Sequence, residues 1–280
     1  MEKAIKRYFP IFVLPTMIAF TLGFIIPFVE GVYLSFCKFT TVNDAKFVGF
    51  ANYAKVFTDE TFVHAFWYTA AFTVVSVILI NVLAFAVALL LTKSFKGTNI
   101  FRTVFFMPNL IGGIVLGYIW QLLLNGILMK FSRTLTYSST YGFWGLIILM
   151  CWQQIGYMMI IYIAGIQNIP GELIEAAEID GATKWQILKK VTIPMVMPSI
   201  TVCTFLTLTN SFKLFDQNLA LTNGEPSKMS EMLALNIFNT FYGRTGYEGV
   251  GQAKAVIFFI LVTVIALTQN YLTRRKEVQQ

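Results

Sequence analysis

The chain has 280 residues, of which 56% are hydrophobic and only 12% charged, with a mean hydropathy of +0.67. A typical soluble domain is about 25% charged, so this chain carries more apolar surface than one aqueous core buries, and a bilayer takes the surplus if helices satisfy the backbone. The formal charge of +7 would suggest nucleic acid for a soluble protein; here the positions of the charges matter more than their sum, lipid is the expected surrounding, and no nucleic-acid partner is expected.

A spanning helix needs roughly 20 mostly apolar residues, and six such runs occur. They cover Ile11 to about Cys37, Phe62 to Leu91, Ile100 to Leu124, Phe143 to Ile166, Met195 to Leu221 and Ala253 to Leu272. The first, third and fifth contain Pro, Gly or Asn and are expected to be kinked or broken. The predicted fold is an all-α polytopic membrane protein with about six transmembrane helices, forming a single transmembrane domain over 1–280. The basic N-terminus precedes an apolar stretch too long for a signal peptide, so it reads as a retained first span.

Lys and Arg in the short loops set orientation. Twelve fall on one side, at 3–7, 93–102, 184–190 and 274–276, and seven on the other, with Lys213 and Lys254 unassigned. The bias places both termini in the cytoplasm of a multi-pass protein of the plasma or inner membrane. Cys37, Cys151 and Cys203 show no metal-ligand spacing and read as small apolar residues. The single histidine, His64, reads as interfacial. Neither a metal site nor a catalytic residue is expected.

The most patterned segment is the loop at about 168–194, from Ile169-Pro170-Gly171 to Ile193-Pro194. Pro170 suits a first helical turn. Glu172 and Glu175 lie where a helix favours negative charge, and Ala176 and Ala177 favour helix. Gly181 is placed for a left-handed cap, and a second short helix follows at about Thr183 to Lys190. The residues alone leave two readings open: an amphipathic helix resting on the membrane, or a rigid element that passes a push to both flanking spans.

Glu175-Ala176-Ala177, then Gly181 after three intervening residues, and Val191-Thr192-Ile193-Pro194 after nine more resemble the EAA loop of binding-protein-dependent ABC importer permeases. The family prefers Ile and Leu where this chain has Val191 and Ile193. Asp180-Gly181-Ala182 is similar to its sugar-transport branch. A second stretch, Phe212 to Asp216 followed by Leu221-Thr222-Asn223-Gly224-Glu225-Pro226, resembles the maltose-type and glycerol-phosphate-type subfamily, with one glycine kept where that pattern has three. The opening Phe47-Val48-Gly49-Phe50-Ala51-Asn52-Tyr53 is similar to that subfamily's first outer loop.

The resemblance implies a type I ABC importer permease fold. It also implies a second homologous permease, two ATP-binding subunits and an extracytoplasmic sugar-binding protein as partners. Glu175, Ala176, Ala177, Asp180, Gly181, Ala182 and Pro194 would couple to the ATPase. ATP and Mg would be used by that partner and no cofactor by this chain, which contains no GxxxxGK[ST] phosphate loop.

Polar residues inside spans are costly and so are candidates for a substrate path. They are Asn109 and Gln121 in the third span, Trp152, Gln153 and Tyr157 in the fourth, and Asn210, Lys213 and Asp216 in the fifth. Trp120, Gln154, Ser211 and Asn218 lie among them. The competing role is hydrogen bonding between helices, and Lys213 and Asp216 have the alternative of pairing with each other. Gly113 and Gly117 read as a helix-packing face. A polytopic enzyme would need clustered acids or histidines, and a secondary transporter its own ion site and often inverted repeats; neither pattern is visible.

Overall fold

The computed structural model describes residues 2–93 and 96–274. Among them, five helices are long and apolar enough to cross a membrane: Ile11–Leu34, Glu60–Leu91, Gly113–Phe131, Ser139–Gln167 and Glu248–Arg274. A pair bent by 69°, Lys184–Met195 and Met197–Phe212, makes a sixth if it counts as one span. Arg275 and Lys276, part of the charge bias, lie outside the described residues.

The elements run α1 (Glu2–Phe20), a π turn (Thr21–Ile25), α2 (Ile26–Leu34), β1 (Cys37–Lys38), β2 (Lys46–Phe47), α3 (Ala51–Thr58), α4 (Glu60–Leu91), α5 (Thr98–Phe106) and α6 (Gly113–Leu128). Then come α7 (Ser139–Gln167), α8 (Gly171–Ile179), α9 (Lys184–Ile187), α10 (Ile193–Met195), α11 (Met197–Phe212), α12 (Asp216–Leu221), α13 (Leu233–Gly243) and α14 (Glu248–Arg274). Among the described residues, the departure from an all-helical chain is the antiparallel β1–β2 pair, Cys37 opposite Phe47 and Lys38 opposite Lys46.

Two of the runs expected to be kinked or broken are each divided into two helices. The run Ile100 to Leu124 is two helices, α5 and α6, parted by a 3-10 turn at Met107–Leu110 and extended backbone at Ile111. Pro108 has no N–H to continue the helix. The run Met195 to Leu221 is also two helices: α11 stops at Phe212, residues 213–215 are unwound, and α12 begins at Asp216. At 16 residues, α11 spans about 24 Å, short of the roughly 30 Å hydrocarbon core.

The chain divides into two compact units. Met1–Glu60 with Ile237–Ile260 forms the first, where Asn52 Nδ2 donates to the carbonyls of Ser35 (2.9 Å) and Cys37 (2.8 Å). Gly249 lies so close to the Cys37 carbonyl that no Cβ fits there, and the Phe28 and Phe259 rings meet edge to face at 4.9 Å.

Thr61–Asn236 with Leu261–Gln280 forms the second unit. Its centre is α7, 61% of whose apolar window is buried, against 28% for α4 and 11% for the α6 span. Its glycines allow that burial: a Cβ at Gly156 would collide with the Phe105 carbonyl, and one at Gly165 with Ser199 Oγ. Gly113 and Gly117 pack helices as expected, since a Cβ would come within 2.7 Å of Asp216 Cβ or 2.6 Å of Ala220 Cβ. A polar thread joins three helices: Tyr162 OH donates to Asn81 Oδ1 at 2.7 Å, and Asn81 Nδ2 donates to Thr207 Oγ1 at 2.9 Å.

Candidate functional site

Local sequence builds the loop between α7 and α11. Pro170 occupies the N-cap of α8, in extended backbone, rather than its first turn. Gly181, at φ +74, ends the helix. Its N–H donates to the Glu178 carbonyl and that of Ala182 to the Ala177 carbonyl, each at 3.0 Å, the paired bonds of a Schellman cap. Thr183 then opens α9 with a capping box, in which its N–H donates to Gln186 Oε1 at 2.7 Å and its Oγ1 accepts from the Gln186 N–H at 3.3 Å. The second helix does not stop at Lys190 as expected. It continues through a π segment, Leu188–Thr192, into α10, and bends at Val196. Pro194 follows that segment, and in a regular α-turn its ring would clash with the Lys190 carbonyl.

Ile169 and Ile174 seat the start of this loop against the core. Glu175, Ala176, Asp180 and Gly181 are exposed, while Ala177, Ala182 and Pro194 are half-buried. Ile179 is 87% exposed and Trp185 69%. Two large apolar side chains offered to water on a capped, rigid turn form a surface suited to a partner. Sequence reasoning passed over Ile179 and Trp185; their signal was large apolar residues inside an otherwise charged loop.

A second candidate lies where α11 breaks. A cavity of 260 Å³ is lined by Gln154 and Met150 of α7, Asn210 near the end of α11, unwound Lys213, Leu214 and Phe215, and Asp216 and Gln217 of α12. Backbone outside regular structure persists at membrane depth only where protein buries it or it lines a wet cavity. Gln154 is buried, and its Oε1 has no hydrogen-bond partner among the described residues. Asn210, Lys213 and Asp216 are thus brought together. No ion pair joins Lys213 to Asp216 among the described residues, and both are exposed.

The other path candidates lie elsewhere. Gln153 Oε1 accepts from Gln217 Nε2 at 2.8 Å, and its Nε2 donates to the Ile111 carbonyl at 3.4 Å. Gln121 Nε2 donates to the Leu221 carbonyl at 3.0 Å, tying α6 to α12. Trp152 meets Trp120 edge to face at 5.6 Å, and Tyr157 tilts against Phe106 at 6.4 Å. Asn109 is half-buried in the 3-10 turn. Asn218 pins the following loop, donating to the Ser230 carbonyl (2.8 Å) and accepting from the Met232 N–H (2.9 Å). Gln217 is the polar cavity residue that sequence reasoning missed; it adjoins Asp216, which was named.

A family model described as binding-protein-dependent transport system inner membrane component matches residues 80–278. The probable starch degradation products transport system permease protein AmyD of Thermoanaerobacterium thermosulfurigenes is 42% identical, over 96% of this chain and 94% of its own length. The multiple sugar-binding transport system permease protein MsmF of Streptococcus mutans is 29% identical, over 99% of each chain. A solved chain of a bacterial ABC transporter involved in import of the acidic polysaccharide alginate shares the fold, with a TM-score of 0.82 at 23% identity and 98% coverage of each chain.

Proposed function

Because the chain belongs to the binding-protein-dependent transport system inner membrane components, we propose that it is the permease subunit of an ATP-driven carbohydrate importer. It forms half of the translocation path beside a second, homologous permease. Two ATP-binding subunits dock below, and an extracytoplasmic binding protein delivers the sugar. Both termini lie in the cytoplasm, a reading supported by the twelve-to-seven Lys and Arg bias. Relatives named for starch degradation products and for multiple sugars favour a carbohydrate as the substrate.

The observation that carries coupling is the exposed α8–α9 turn, with Ile179 and Trp185 in water and Glu172, Glu175, Glu178 and Asp180 around them. Its partner groove is apolar at its floor, where Ile179 and Trp185 would seat, and charged at its rim. When ATP closes the paired ATPases, the capped turn moves as one piece and pushes on α7 and α11. ATP and Mg are the partner's cofactors. The unwound cavity beside Gln154, Asn210 and Gln217 offers amide and charged groups to sugar hydroxyls, and discontinuous helices are a recurrent way to build such sites.

The test is ATP-driven uptake of starch-derived oligosaccharides in vesicles containing the co-purified complex. Ile179→Glu should lower co-purification of the ATPase and abolish uptake, with this chain still inserted. Uptake by this chain alone, without an ATPase, would overturn the reading in favour of a secondary transporter.

A further inference from the structure

At one end of the second unit, the end of α4, the start of α5 and the end of α7 enclose a cavity of 550 Å³. A water molecule occupies roughly 30 Å³, so a polyatomic ligand fits. The cavity is lined by Lys93 and Arg102, the polar Thr98, Asn99 and Gln167, and no acid. Arg102 Nη2 donates to the Leu91 carbonyl at 2.7 Å, which answers the negative end of α4 and holds the guanidinium in place. Arg102 Nε is buried and has no partner among the described residues. The outer N–H groups of the guanidinium can meet an oxyanion in the cavity in the fork geometry that arginine offers phosphate.

The surroundings decide which oxyanion. The cavity sits at the ends of α4 and α7, both long enough to cross a bilayer, and so at headgroup level. Alongside it, α5 turns Ile100 and Val104 outward, 68% and 55% exposed and four residues apart, which places them on one face. A cationic cavity continuous with an exposed apolar strip matches an amphiphile better than a free ion. We propose that the cavity binds the phosphate of an anionic phospholipid, whose acyl chains lie along Ile100 and Val104. Its leaflet, the cytoplasmic one, rests on the orientation proposed above and matches the side where anionic lipids concentrate; the binding itself does not depend on transport.

The test is native mass spectrometry of the co-purified complex with phosphatidylglycerol or phosphatidylcholine added. Phosphatidylglycerol should be retained preferentially. Lys93→Gln should lower its retention roughly fivefold, the loss expected for one cation near a lipid headgroup. Lys93 is exposed and its ammonium makes no bond among the described residues, so this variant should fold. Arg102→Lys keeps the charge and tests the fork; it should also weaken retention. Equal retention of both lipids, or no change in either variant, overturns the proposal. Displacement of the lipid by millimolar inorganic phosphate would assign the cavity to a free anion and overturn the lipid assignment.

Discussion

Lys254 Nζ lies 2.7 Å from Asp59 Oδ2, the lysine fully buried and the carboxylate side chain 18% exposed. Thr240 Oγ1 accepts a second bond from the same ammonium at 2.8 Å. A lysine seven residues into an apolar helix is tolerated because an ion pair and hydrogen bonds compensate its desolvation. Removing one partner of a buried ion pair costs about 3–5 kcal/mol. Lys254→Met and Asp59→Asn should each lower the unfolding temperature in detergent, and Lys254→Met with Asp59→Leu should recover much of the loss.

Gln154 provides a test that separates path from packing. Replacing a buried polar group that has no partner by an apolar one is neutral or stabilising. Gln154→Leu should therefore keep or raise the unfolding temperature while lowering uptake about threefold to tenfold, the worth of one hydrogen bond to substrate. Gln121→Leu should do the reverse, lowering stability through the lost tie to Leu221.

Gly156 has the Phe105 carbonyl where a side chain would start. Because the obstacle is backbone, Gly156→Ala should cost about 1–3 kcal/mol by overpacking, read as a lower yield of folded protein and a lower unfolding temperature. Gly126, with nothing within 4 Å, should accept alanine without loss.

The Asn81 thread predicts a smaller effect. Asn81→Leu removes the bonds to Tyr162 and Thr207 and should cost about 1–2 kcal/mol, the scale of side-chain bonds between membrane helices. Thermal unfolding of Asn81→Leu, Tyr162→Phe and the double variant would measure it, the double costing less than the sum.

Asp44 carries a pH prediction. Its Oδ1 accepts from the Thr40 and Thr41 N–H groups at 3.0 and 2.9 Å, and these bonds hold its carboxyl below the ordinary carboxylate pKa. The folded value is the lower one, so its stabilisation is present above the unfolded pKa and lost as pH falls through the folded one. The protection of the Thr41 amide, its exchange rate relative to an unstructured peptide at the same pH, should hold through neutral and mildly acidic pH and fall only below that range. Asp44→Asn should remove the pH dependence.

Much of this protein is legible from its residues alone. Apolar runs long enough to span follow from composition, and the loop after α7 follows from local rules, because Pro170, Gly181, Thr183 and Gln186 act on backbone groups within a few residues of themselves. Other features depend on groups far apart in the chain. Gln153 and Gln154 are neighbours pointing about 100° apart around one helix. Only the packing of α6 and α12 against α7 turned Gln153 to Gln217 and left Gln154 on the cavity. The unwinding at 213–215 accompanies the close seating of α12 on Gly113 and Gly117, a contact made across about a hundred residues. Lys254 found its counter-charge 195 residues away. Periodicity and capping concern near neighbours, whereas the partner of a buried polar group is chosen by which helices come to lie together.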